Sequence, residues 1–67
     1  MPELVTYVEY QKLSPREQGF AAYVQGELPG SELRDHQANP YPVGSFNAAE
    51  WRKGEFQGIL AAQDSEE

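Results

Sequence analysis

The sequence predicts a mostly α-helical single domain: two helices joined by an extended Pro/Tyr linker, with an N-terminal arm that is extended or β. Three features of its 67 residues predict this. A capped helical run opens at Ser14-Pro15-Arg16-Glu17, and a second opens at Ser45 or Asn47 and reaches about Gln63. Between them, Pro40 and Pro42 in Asn39-Pro40-Tyr41-Pro42 force their preceding residues out of the helical region. The expected organisation is an arm over 1–13, a helix over 14–26, a linker over 27–44, a helix over 45–63 and a tail over 64–67.

In the arm, Leu4-Val5-Thr6-Tyr7-Val8-Glu9-Tyr10 is rich in residues that favour strands. Alternation puts Leu4, Thr6, Val8 and Tyr10 on one side. Leu4, Tyr7, Val8 and Gln11 also fit a helical stripe, and periodicity alone does not separate the two in so short a run. The balance of residue types leans towards an extended arm. With no partner strand in the chain, such an arm pairs with another molecule or lies across the helices.

The first helix has stronger signals. Ser14 caps, Pro15 suits the first helical position and Glu17 completes a capping box. Gly26 terminates the run, with Pro29 just beyond. Phe20, Tyr23 and Val24 form an apolar face, and Gly19 and Ala22 beside it admit a close neighbour. In the linker, Ser31 to Gln37 has room for one helical turn capped by Ser31. In the second helix, either Ser45 caps or Asn47 and Glu50 form a capping box. Ala48, Trp51, Glu55, Gly58 and Ala62 share one face, and Phe56, Ile59, Leu60 and Gln63 an adjacent one. Asp64 to Glu67 places acids at the negative end of the helix dipole, which favours fraying.

Composition narrows the function. A chain near 60 residues buries only about 60% of its unfolded surface, so the core is thin. The chain has no Cys and a single His, which removes disulfides and a structural zinc. Trp51 is then expected in the core, because a small core needs its largest residue. Self-association, through the arm, is one way to cover leftover apolar surface and leaves a homodimer open. The formal charge is −6, from 11 acidic and 5 basic residues. That opposes direct RNA or DNA binding, where Lys and Arg must neutralise phosphates, and suits a basic partner surface or solubility. No run approaches the ~20 apolar residues that span a bilayer, and the N-terminus lacks the basic flank of a signal peptide. The expected location is a bacterial cytoplasm, or a bacterial host cell for a phage-encoded chain, with no membrane partner.

No catalytic constellation is legible. His36, in Arg34-Asp35-His36-Gln37, has no nucleophile in sequence reach and reads as a solvated loop residue. No glycine-rich phosphate loop or calcium-loop spacing occurs. The chain is expected to be non-enzymatic, with no cofactor and no metal.

Gly19-Phe20-x-Ala22-x-x-x-Gly26, then Asn39-Pro40-Tyr41, then Trp51-x-x-Gly54 resembles ribosome modulation factor and its small bacterial and phage-encoded relatives, over roughly Gln18 to Leu60. The resemblance implies two helices joined by an extended Pro-Tyr linker. It gives Gly19, Phe20, Ala22, Gly26, Pro40, Tyr41, Trp51 and Gly54 structural roles. It also implies a non-enzymatic protein that binds the ribosome and inactivates it during slow growth. The chain departs from the family in two places: Glu3, Glu9 and Glu17 outnumber Lys12 and Arg16 around the first helix, and Glu55 follows Gly54 where an aromatic is common.

Two functions follow as expectations. One is a ribosome modulation factor-like protein that regulates a protein or ribonucleoprotein complex by direct binding. The other is a phage-encoded acidic inhibitor of a host nucleic-acid-processing or defence complex, as a nucleic-acid mimic or anti-CRISPR protein. Candidate partner-binding residues are Glu27, Glu32, Asp35, Glu50 and Glu55, with Tyr7, Tyr10 or Phe46 as an aromatic anchor. If RNA is bound, Arg16, Arg52 and Lys53 must carry it.

Overall fold

A computed structural model describes residues Leu4 to Asp64. Its elements are α1 (Tyr7–Lys12), α2 (Pro15–Gly26), a 3-10 turn (Arg34–His36) and α3 (Phe46–Asp64). The protein is mostly helical, and no strand occurs among the described residues. The tail beyond Asp64 and the first three residues lie outside the described residues.

The arm corrects the sequence reading, because it is helical. Thr6 and Glu9 form a capping box: the Thr6 hydroxyl accepts from the Glu9 amide, and the Glu9 carboxylate accepts from the Thr6 amide at 3.0 Å. Two orphan donors at the helix start are thereby satisfied. Glu32 adds a third contact, accepting from the Tyr7 amide at 2.9 Å. These local bonds outweigh the strand preference of Val, Thr and Tyr, which operates only where a neighbouring strand exists. At the other end, the Leu13 amide bonds back to the Tyr10 carbonyl at 3.1 Å, and the chain leaves the helix extended.

Helix α2 begins at the Ser14 capping box with Pro15 in its first turn and ends at Gly26, as expected. The face it buries differs from the expected one. Gln18, Gly19, Ala21, Ala22 and Gly26 are buried, whereas Phe20 is 39% exposed and Val24 38% exposed. The cause is the closeness of α3. A Cβ on Gly19 would collide with the Trp51 carbonyl, and one on Gly54 with the Arg16 carbonyl. Only glycine fits where the backbones meet, with alanine beside it, so the larger residues flank the crossing.

Helix α3 starts after Gly44, whose φ of +87° suits a residue without a Cβ. Ser45 caps it, accepting from the Ala48 amide at 3.1 Å. The alternative box of Asn47 and Glu50 is not used, since Glu50 pairs elsewhere. Of the first face read from the sequence, Ala48, Trp51 and Gly58 are buried and Glu55 and Ala62 half-buried, while Gly54, which that face did not include, is buried as well.

The linker holds the one turn that Ser31 to Gln37 has room for, but Leu33 rather than Ser31 is at its cap position. Leu33 is fully buried, and the turn that follows it closes with the His36 amide on the Leu33 carbonyl at 2.9 Å. The Ser31 hydroxyl accepts from the Leu33 amide at 3.1 Å. Asn39 fixes the Pro-Tyr stretch from both sides, donating to the Ala48 carbonyl and accepting from the Tyr41 amide, each at 3.0 Å. Tyr41 folds the linker onto the helices, and its hydroxyl reaches the Gln18 side chain rather than solvent or a backbone carbonyl. The core is Tyr10, Ala21, Ala22, Leu33 and Trp51, with Val5, Tyr7, Leu13 and Tyr41 packed around it.

Candidate functional surface

The candidate residues separate into those the fold consumes and those it leaves facing outward. Tyr10 belongs to the first group and is corrected as an anchor: it is buried in the core. Its hydroxyl accepts from the Trp51 indole at 3.2 Å. Burial pushes its hydroxyl above the ordinary tyrosine value of 10.0, with the Trp51 bond acting in the opposite direction. Tyr7 is half-buried and stacks on His36 with ring centroids 4.1 Å apart. The lone histidine is therefore a packing element that holds the 3-10 turn against α1, and not a freely solvated loop residue.

Glu50 is also engaged. Arg16 approaches it to 3.1 Å and Lys53 to 3.2 Å. The Lys53 hydrogen bond, reinforced by the Arg16 charge and opposed by desolvation, holds its carboxyl below the ordinary 4.5. Two of the three residues proposed for RNA are thus directed at a carboxylate. The third, Arg52, is exposed beside an open hollow of about 420 Å³ lined by Asn39, Tyr41, Val43, Ser45 and Ala48.

Glu27 and Asp35 are exposed, and Glu55 is half-buried on α3. Glu32 is exposed while it serves the start of α1. The acidic residues after α2 are therefore available at Glu27 and Asp35, with Glu32 partly committed to the fold. Among the described residues, both ion pairs end on Glu50.

Phe46 is 76% exposed, as an anchor must be, and Val43 beside it is 95% exposed. Farther along α3, Phe56 is 59% and Leu60 46% exposed. Sequence reading grouped Phe56 and Leu60 on one face but gave that face no role. Val43 carried no signal, because a valine between Pro42 and Gly44 belongs to no periodic pattern.

The remaining motif residues are scaffold. Gly26 leaves room for the Gln37 side chain, whose amide donates to the Ala22 carbonyl. Pro40 is exposed and acts through its backbone. No group of three or more potential metal-ligating side chains occurs among the described residues. No helix among them is long and apolar enough to cross a membrane. Comparisons with protein-family models, curated proteins and solved structures gave no match.

Proposed function

We propose that this chain is a small non-enzymatic binding protein, similar in plan to ribosome modulation factor, that regulates a macromolecular complex by docking on it. The observation that carries this reading is the convergence of the resemblance residues. Gly19 meets Trp51, Gly54 meets Arg16, Gly26 meets Gln37, and Asn39 ties the Pro-Tyr stretch to α3. Residues that are scattered in sequence act together as one scaffold, which is what a shared architecture requires. The contact surface is the exposed start of α3 with Phe46 and Val43. Aromatic side chains in such positions commonly dominate binding energy.

The contact is to protein rather than to RNA. Arg16 and Lys53 both pair with Glu50, which offsets one of their two charges, and the net charge of −6 repels phosphate. The same charge, with Glu27 and Asp35 exposed, favours a second reading: an acidic inhibitor that occupies a basic channel of a host complex.

Density-gradient centrifugation of a bacterial lysate with the purified protein tests the first reading. Co-migration with ribosomal particles, surviving moderate salt, is the expected result. Migration with a single nucleic-acid-processing complex supports the second reading. Absence from every particle fraction refutes both.

A further inference from the structure

The outer side of α3, opposite the face packed on α2, carries a continuous seam. Phe46, Ala49, Lys53, Phe56, Leu60 and Gln63 follow one another at alternating spacings of three and four residues. This is the period of a coiled-coil stripe, and all six are exposed. Trp51 and Gly58, on the opposite side of the helix, are buried. Among the described residues the seam faces away from α2, the element packed on α3, and its internal tie is the Lys53–Glu50 ion pair at 3.2 Å.

We infer that this seam pairs with the same seam of a second copy, as an antiparallel two-helix contact about a two-fold axis between Lys53 and Phe56. Residue sizes and charge select this arrangement. Antiparallel pairing sets Phe46 opposite Gln63 of the second copy, Ala49 opposite Leu60, and Lys53 opposite Phe56. Each bulky side chain then meets a small or flexible one, and the lysine lies on an aromatic ring, where a cation is attracted. Parallel pairing would place Lys53 against Lys53 and Phe56 against Phe56, which combines charge repulsion with a steric excess. A two-fold contact needs only this one self-complementary patch.

Charge distribution agrees. Lys53 is the seam's one charged residue, and Arg52 and Glu50 flank it with opposite signs. Glu9, Glu17 and Asp35 lie on other elements, Glu27 and Glu32 in the linker, and Glu50 and Glu55 of α3 are half-buried, so the contact does not press exposed acids together. Its extent sets its strength. The seam from Phe46 to Gln63 is about 26 Å long at the α-helical rise, and a single pair of helices in contact over that length is smaller than a standard interface of ~1,600 Å². The dimer is therefore weak and reversible.

Sedimentation of the full chain over a concentration series is the first test, with a rise from monomer to dimer mass expected. Phe56→Lys, at an exposed position, sets a like charge opposite Lys53 of the second copy and should abolish the rise while leaving the far-UV spectrum unchanged. Because the chain has no cysteine, register is readable by oxidation. Ala49→Cys combined with Leu60→Cys should give a covalent dimer efficiently, and Ala49→Cys alone should not. Monomer at every concentration overturns the inference, as does a dimer indifferent to Phe56→Lys. Equal cross-linking by Ala49→Cys alone overturns the antiparallel register.

Discussion

The Trp51 indole donates to the Tyr10 hydroxyl across 3.2 Å, joining α3 to α1 over a separation of 41 residues. Gln18 and Tyr41 extend this polar line: the Gln18 amide donates to the Tyr10 carbonyl at 3.0 Å, and the Tyr41 hydroxyl donates to the Gln18 oxygen. All three helices and the Pro-Tyr stretch thus contribute to a largely buried network whose members satisfy one another. Such a network rigidifies a core when complete and is costly when broken.

Tyr10→Phe should cost about 1–3 kcal/mol, because it leaves the indole N–H buried without an acceptor. Trp51→Ala should cost about 3–5 kcal/mol, close to the whole stability of a domain this small. Urea denaturation measures both. A midpoint nearly unchanged in Trp51→Ala would contradict the burial of that side chain.

Gly19→Ala and Gly54→Ala should each destabilise despite a helix-propensity gain of about 1 kcal/mol. The added methyl meets backbone that cannot step aside, and overpacking of this kind costs about 1–3 kcal/mol or more. Gly44→Ala is a different case, since nothing lies near its missing Cβ. Its cost is the left-handed backbone alone, roughly 1–2 kcal/mol, and Gly44→Asn should recover part of it. Thermal melts of the three alanine variants should rank Gly44→Ala as the mildest.

Removing the cap of α1 should be visible in helix content. Thr6→Ala is expected to cost about 1 kcal/mol and to lower the helical circular dichroism signal. Glu32→Gln should do less, because an amide oxygen still accepts from the Tyr7 amide. Equal helix content in Thr6→Ala and the parent protein would contradict the capping box.

Stability should fall at both ends of the pH scale for separate reasons. Glu50 has a lowered pKa in the folded state. Its contribution is present above 4.5, its ordinary value, and is lost as pH falls through the lowered value. Glu50→Gln should flatten that acid limb, and added salt should do the same because the site is near the surface. Tyr10 has a raised pKa. Its contribution is complete below 10.0 and is lost as pH rises through the higher folded value, so Tyr10→Phe should flatten the alkaline limb. Denaturation midpoints against pH for both variants check the two signs.

Bare ribosomal RNA should not bind tightly. Gel shifts with the purified protein should stay unshifted at submicromolar concentration. A salt-sensitive shift would return Arg16, Arg52 and Lys53 to the role of phosphate contacts.

The helices of the core were legible because capping is local chemistry. Ser14, Pro15 and Glu17 announce α2 within four residues. The same spacing stands at Thr6 and Glu9 and carries the same bonding, but the strand preference of Val, Thr and Tyr in that run points the other way. The buried face of α2 was not legible. Apolar periodicity points to Phe20 and Val24, whereas the helix crossing selects for smallness at Gly19 and Ala22. The commitments of Glu32, His36 and Tyr10 were hidden for another reason. Each depends on a residue 25, 29 or 41 positions away, and no local pattern encodes that distance. Phe46 is exposed and Tyr10 buried, and no local pattern separates the two as anchors.

The chain contains a single tryptophan, and its indole ends on the hydroxyl of a residue from the short first helix. The molecule therefore carries its own optical gauge of that junction. Were α1 to lift while α2 and α3 stayed packed, the indole would trade a phenol for water, and its emission would move to longer wavelength before the helices parted. Fluorescence and circular dichroism followed on one sample would then trace two different curves. The gap between them would measure how firmly six residues at one end of the chain are seated on the rest.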